Sequence, residues 1–181
     1  MHAANNDQHT SEIYKISKLT SKFEVSNFNC GINQLDVYIK KIAKLNQDIN
    51  VGQTYILHLE NSNQVIGYYT ISAANVTKTD LPVIERVTNE LPRYPIPCIL
   101  IGKLAVDSIY RNKGLGKILL IDVLKRVKSL SLDLGCFAVI VDSLEPSSSF
   151  YEKYGFIKFI NRPLSYFLPV KTIEIAERCN P

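Results

Sequence analysis

A chain of 181 residues has room for one well-buried core and not for two full domains. With 46% apolar and 21% charged residues, it is excluded from the disordered and collagen-like classes. A net charge of +4 does not mark a nucleic-acid binder by itself, although it favours an anionic cofactor or substrate.

The longest apolar runs, residues 118–121 and 137–141, fall far short of the roughly 18 residues that span a bilayer, so no membrane partner is expected. Residues 1–12 are polar and lack the apolar stretch of a secretory signal. They are expected to be a tail, with a domain over 13–176, a second tail over 177–181 and a cytoplasmic location. Cys30, Cys98, Cys136 and Cys179 are scattered and form no CxxC pair, which reads as free thiols. His2, His9 and His58 have no metal-binding spacing, and no metal site is expected.

Residues 13–18 alternate apolar and polar and predict a first strand. Asn33, with Asp36 three residues on, predicts the start of a helix. Its apolar face is read as Leu35, Tyr38, Ile39, Ile42 and Leu45, with Lys40, Lys41 and Lys44 on other faces. Residues 54–59 and 65–73 predict a hairpin, joined through Asn61, Ser62 and Asn63. Residues 77–97 hold Pro82, Pro92, Pro95 and Pro97 and read as a shaping loop with a short helix near 83–89.

An apolar run over 98–106 then predicts a buried strand, followed by a glycine turn and a helix striped by Leu120, Val123, Leu124, Val127 and Leu130. Residues 136–141 predict a second central strand, and residues 146–154 a short helix stopped by Gly155. Strands over 156–160 and 168–175 close the chain, separated by Asn161, Arg162 and Pro163. The plan is α/β, a mixed central sheet flanked by helices.

The glycine turn carries the first chemistry. Between a buried strand and an amphipathic helix, the backbone N–H groups of a helix start face open space and attract phosphate. Gly114 and Gly116 keep that space free of Cβ atoms, and Arg111 and Lys117 add positive charge. A dinucleotide fingerprint needs a third glycine where Leu119 stands, and a Walker loop needs Ser or Thr where Ile118 stands.

Arg111-x-x-Gly114-x-Gly116, after a strand ending Leu104-Ala105-Val106-Asp107, resembles motif A of the GNAT acetyltransferase superfamily, and the similarity extends over most of residues 20–175. The resemblance implies acetyl-coenzyme A as donor and a single GNAT-like domain with splayed central strands. It implies that Leu104, Ala105 and Val106 pair with the pantetheine arm through their backbone. Arg111, Asn112, Lys113, Gly114, Leu115, Gly116 and Lys117 would then bind the cofactor pyrophosphate.

Phe150-Tyr151-x-x-Tyr154-Gly155-Phe156 resembles the helix-to-strand segment of the same superfamily. There the tyrosine after the first phenylalanine commonly protonates the departing thiolate, which makes Tyr151 the expected catalytic residue. A thiol titrates near 8.5 and a tyrosine near 10, so such a donor suits the developing charge. Phe150 and Phe156 read as core aromatics. No base stands out: residues 98–106 carry no carboxylate or histidine, Asp107 follows them, and Glu85, Glu90 and Glu145 remain open. A base-poor site suits an α-amine near 8 better than a lysine near 10.4.

Phe28-x-Cys30-Gly31-x-x-x-Leu35-Asp36, Gly67-Tyr68-Tyr69, Pro97-x-x-x-x-Gly102-Lys103-Leu104, Val141-Asp142 and the segment Leu168-Pro169-Val170-Lys171-Thr172-Ile173 occur in one order. As an ordered set they are similar to one GNAT branch, the acetyltransferase toxins of bacterial toxin–antitoxin pairs. That branch implies an aminoacyl-tRNA substrate acetylated on its α-amine, blocked translation, a homodimer, and a DNA-binding antitoxin of ribbon–helix–helix type. Phosphate contacts are expected from Arg86 and Arg93, with Lys40, Lys41, Lys44, Lys125, Arg126 and Lys128 as further basic positions. Residues 144–149 are more polar than the matching helix of the branch, and Arg111 stands where glutamine is frequent there. Alternative readings are acetylation of a small amine or a protein N-terminus, or an acyl-coenzyme A-binding module without turnover.

Overall fold

The computed structural model describes residues 13–84 and 87–173. Residues 1–12 and 177–181, Glu85, Arg86 and the end of the last predicted strand lie outside them. The β-branched and aromatic runs form seven strands in one sheet, ordered β1-β2-β3-β4-β5-β7-β6. β1 (Tyr14–Lys18), β2 (Gln53–Leu59), β3 (Gly67–Val76) and β4 (Ile96–Val106) pair antiparallel in succession. β5 (Ala138–Asp142) runs parallel to β4, and β7 (Ser165–Pro169) and the edge strand β6 (Ile157–Lys158) complete a mixed sheet. Parallel pairing needs a crossover, supplied by helix α3 (Leu115–Leu130).

Adjacent strand residues point to opposite faces, and the fully buried Tyr68 and Tyr69 each anchor one of them. On the Tyr69 face, α3 buries Leu115, Leu119, Leu120, Val123 and Val127 against Ile101 and Val139. Each such side chain contributes about 1.5–3 kcal/mol by leaving water. On the Tyr68 face lie α1 (Asn33–Val37) and α2 (Ala43–Asp48), which with Ile39 of the turn between them bury Leu35 and Ala43 against Tyr68 and Ala105. The Tyr68 hydroxyl donates to the Leu35 carbonyl at 2.8 Å, tying α1 to the sheet.

Five sequence expectations are corrected. α1 and α2 are joined by a π-helical turn, Tyr38–Ile42, whose i→i+5 bonding widens the coil. The buried face therefore advances in steps of four, leaving Ile42 and Leu45 39% and 58% exposed. Asn33 is the first helical residue and not the cap, and the Asp36 carboxylate instead accepts the Cys30 N–H at 2.8 Å. The α3 stripe is rotated toward Leu115 and Leu119, so Leu130 is exposed.

Around the proline-rich loop, the described part of 83–89 is no helix. A 3-10 turn at Lys78–Asp80 and a turn held by the Thr88 hydroxyl on the Pro82 carbonyl replace it. The last strand is Ser165–Pro169, and Val170 begins a helical turn, because Phe167 pairs with Ile140 after a turn at Leu164 with φ +64°.

Candidate active site

The parallel pairing of β4 and β5 covers only residues 98–101 and 138–141, after which the strands separate. A β-bulge drives the separation: Thr70 faces Lys103 and Ile71 faces Ile101, so Gly102 is the extra residue of β4. A Cβ there would stand 2.9 Å from the Thr70 hydroxyl, so only glycine fits without a shift. Beyond it, residues 102–106 pair with β3 alone, and their other edge is free to hydrogen-bond an extended ligand. The gap holds a cavity of about 480 Å³ lined by Leu104, Ala105, Val106, Asp142, Ser143 and Tyr151, among others.

The turn after β4 is braced by Asp107. Its carboxylate accepts the N–H groups of Asn29 at 2.8 Å and Ile109 at 3.0 Å, so this buried acid is a structural clamp and no base. Asn112 (φ +62°) and Gly114 (φ +74°) then reverse the chain in left-handed conformations. A Cβ on Gly114 would meet nothing within 4 Å, which leaves open space before the helix. Lys117 and Ile118 both donate to the Gly114 carbonyl, at 3.0 and 3.3 Å, whereas the N–H groups of Leu115 and Gly116 make no hydrogen bond with any described residue.

These N–H groups, with Arg111, Asn112 and Lys117, line a second cavity of about 260 Å³ walled by Phe150 and Tyr154. Lys113 does not line it and instead lies over the Tyr110 ring at 5.2 Å. Val106 and Arg111 border both cavities, which therefore run together. Free backbone donors at the positive end of a 16-residue helix, flanked by two cations, fit a diphosphate group.

Tyr151 lies on α4 (Ser148–Lys153), a short helix ended by Gly155 at φ +82°. Its ring packs edge-on against Phe150 at 5.1 Å and Phe156 at 5.5 Å. The residue is buried, its hydroxyl has no hydrogen-bond partner among the described residues, and it lines the larger cavity. Burial pushes its pKa above the ordinary tyrosine value, so it keeps its proton at neutral pH.

Other predicted positions lie apart. Glu90, Glu145 and Arg93 are exposed and line neither cavity, and Glu85 and Arg86 lie outside the described residues. Arg126 is taken out of the basic surface. It donates to the Tyr69 hydroxyl at 2.9 Å, pairs with Asp122 at 3.2 Å and covers the Tyr55 ring at 3.9 Å. Lys44 is paired with Asp48. His58 is buried against the Ser17 hydroxyl at 2.9 Å, and no cluster of three His, Cys, Asp or Glu that could hold a metal occurs among the described residues.

Sequence reasoning passed over Lys103 and Asp142 as site residues, although both line the larger cavity. A lysine inside the apolar run 98–106 was the available signal for the first. For the second, position at the end of a central strand was the signal.

A sheet that opens between its central strands, with a turn of free backbone N–H groups at one end of the opening and a tyrosine hydroxyl without a described partner at the other, is the architecture of a coenzyme A-dependent acyltransferase. Residues 24–156 match the Acetyltransferase (GNAT) family, and the chain belongs to that family: it is an N-acetyltransferase whose donor is acetyl-coenzyme A. It is 35% identical over 157 residues to a probable toxin TacT of Sinorhizobium fredii, covering 81% of this chain and 85% of that protein. To a tRNA-acetylating toxin of Mycobacterium tuberculosis it is 28% identical over 155 residues, covering 85% and 90%. Among solved structures it is similar to AtaT complexed with acetyl-methionyl-tRNAfMet, with a TM-score of 0.85, 26% identity, and 91% and 99% of the two chains covered.

Proposed function

We propose that this enzyme acetylates the α-amine of aminoacyl groups carried by tRNA and so blocks translation. In this reading Arg111, Asn112, Gly114, Leu115, Gly116 and Lys117 hold the diphosphate of the donor, and Lys113, lying over Tyr110, stays outside the set. The free edge of Leu104, Ala105 and Val106 holds its pantetheine arm. Tyr151 is the general acid. Bound in this way, acetyl-coenzyme A supplies an activated acetyl group.

The chain's own residues do the rest. The turn and the open edge fix the donor's position, which removes much of the entropic barrier to reaction. The neutral amine attacks the acetyl carbon, the carbon–sulfur bond breaks, the Tyr151 hydroxyl gives its proton to the leaving sulfur, and the proton shed by the newly acylated nitrogen passes through solvent to restore the tyrosine. The observation that carries the mechanism is the hydroxyl of the buried Tyr151, without a partner among the described residues, at the wall of the gap between β4 and β5. The tRNA acceptor is supported by the likeness to a tRNA-acetylating toxin and to AtaT with an acetylated aminoacyl-tRNA.

The same reading makes residues 13–176 the folded unit, a homodimer in the cytoplasm, held in check by an antitoxin of ribbon–helix–helix type. Arg93 and Arg86 remain its proposed tRNA phosphate contacts. Translation in a cell-free extract supplied with acetyl-coenzyme A tests it. The parent is expected to stop protein synthesis and Tyr151→Phe to leave it running. Unimpaired synthesis with both would refute the toxin reading while leaving acetylation of another amine open.

A further inference from the structure

Among the described residues, the larger cavity contains no histidine and no carboxylate except Asp142, one oxygen of which already accepts the Ser165 hydroxyl at 2.6 Å. Lys103 is one of the residues that line it. Lys103 shares its sheet face with Ala105, the face covered by α1, and so lies across β4 from the side on which α3 and Leu104 pack. Its ammonium is held rather than free. It donates to the Gly102 carbonyl at 3.0 Å and lies over the Tyr38 ring at 5.3 Å.

Two irregular features create that placement. The bulge at Gly102 sets which side of β4 Lys103 faces, and the π turn beginning at Tyr38 sets the ring beneath it. The Tyr38 ring is itself stacked on Tyr68 at a centroid distance of 6.3 Å. No described carboxylate pairs with the ammonium. From α1, Asp36 is committed to the Cys30 N–H at 2.8 Å. Asp142 projects from the end of β5, Arg111 adds a second positive charge from the turn, and Cys30 and Tyr151 border the cavity as neutral groups.

We propose that Lys103 is a positioning residue that keeps the acceptor amine neutral, acting through charge in place of a general base. An ammonium entering beside the fixed ammonium of Lys103 is disfavoured relative to the neutral amine, since like charges penalise the charged form. The ammonium's proton leaves to water as the amine enters, and the second proton, shed by the nitrogen after attack, restores the Tyr151 hydroxyl, so no separate base is needed. This requires an acceptor whose pKa is already near neutrality, as that of an α-amine is, near 8. The inference rests on the aminoacyl-tRNA reading for its acceptor. It explains how a site with one engaged carboxylate serves an amine nucleophile.

The test is the pH dependence of kcat at saturating bulk charged tRNA, with kcat/KM measured beside it at two salt concentrations, between pH 5.5 and 8.5 for the parent, Lys103→Arg, Lys103→Met and Lys103→Gln. Thermal unfolding identifies any variant that fails to fold, and the two neutral variants back each other up. The acid limb is expected to move up by about one pH unit in Lys103→Met and Lys103→Gln. That is about a tenfold loss below the limb, with recovery near pH 8.5 and with Lys103→Arg resembling the parent. A loss in kcat/KM that is equal at every pH and shrinks as salt rises would instead make Lys103 a phosphate contact and overturn the proposal, as would an unshifted kcat profile. If the parent leaves charged tRNA unacetylated, the acceptor reading fails. The same profile is then measured on whichever amine of a phosphate-free panel it does acetylate, and inactivity on the whole panel removes both ideas.

Discussion

Arg111 donates through Nη2 to the carbonyl oxygen of Cys30, joining the turn that opens α3 to the loop that opens α1. One guanidinium thus borders both cavities and also holds the N-terminal segment in place. Replacing it by alanine is expected to weaken acetyl-coenzyme A binding about tenfold to a hundredfold, the range for one charge-assisted hydrogen bond. Arg111→Lys should fall between, since it keeps the charge and loses the planar fork. Calorimetry decides, and a change under twofold for alanine would remove Arg111 from the donor site.

Tyr151→Phe should lower kcat by about a hundredfold or more, the range for a lost general acid, and leave donor affinity unchanged. Because the hydroxyl bonds to no described residue, the unfolding temperature should also be nearly unchanged. A large drop in stability would point to a structural hydroxyl. Since burial raises the pKa of Tyr151, its titration should produce no alkaline loss of activity below about pH 10.

The two glycines of the turn should separate stability from binding. Gly114 has φ +74°, so Gly114→Ala costs about 1–2 kcal/mol of stability through backbone strain alone. Gly116 has no such constraint, and a Cβ on it meets only the Phe150 ring at an ordinary 3.7 Å. Gly116→Ala should fold as the parent does. Gly116→Val should then reduce donor binding by crowding the N–H groups at the helix mouth. Denaturant titration beside calorimetry reads the two effects apart.

Tyr69 is completely buried, with its hydroxyl shared between the Asp122 carboxylate and Arg126. Tyr69→Phe leaves that pair of charges without its buried bridge and should destabilise the fold by about 1–3 kcal/mol. As the network lies on the α3 face and lines neither cavity, kcat/KM at 25 °C should stay within about twofold.

The buried tyrosines make a further claim about alkaline stability. Burial raises the pKa of Tyr68, Tyr69 and Tyr151 in the folded state. The folded chain therefore keeps protons that the unfolded chain loses near pH 10, and the contribution is fully present below that pH. Denaturant midpoints should be level through pH 9 and fall as pH rises beyond about 10. A midpoint that rises above pH 10 would contradict these burials.

By itself the sequence determined what depends on neighbours along the chain. The order of the main strands and helices follows from apolar periodicity, the glycine turn from Gly114 and Gly116, and the candidate acid Tyr151 from its aromatic segment. Only the tertiary structure decided which groups those elements leave free. Asp107 was consumed by Asn29 and Ile109, Arg126 by Tyr69 and Asp122, and Lys103 was brought from an apolar strand to the cavity wall. The π turn at Tyr38 and the bulge at Gly102 were equally hidden, because each inserts one residue into a regular period. Such insertions are set by packing against a distant partner, here Tyr68 and Thr70, and local propensity carries no record of it.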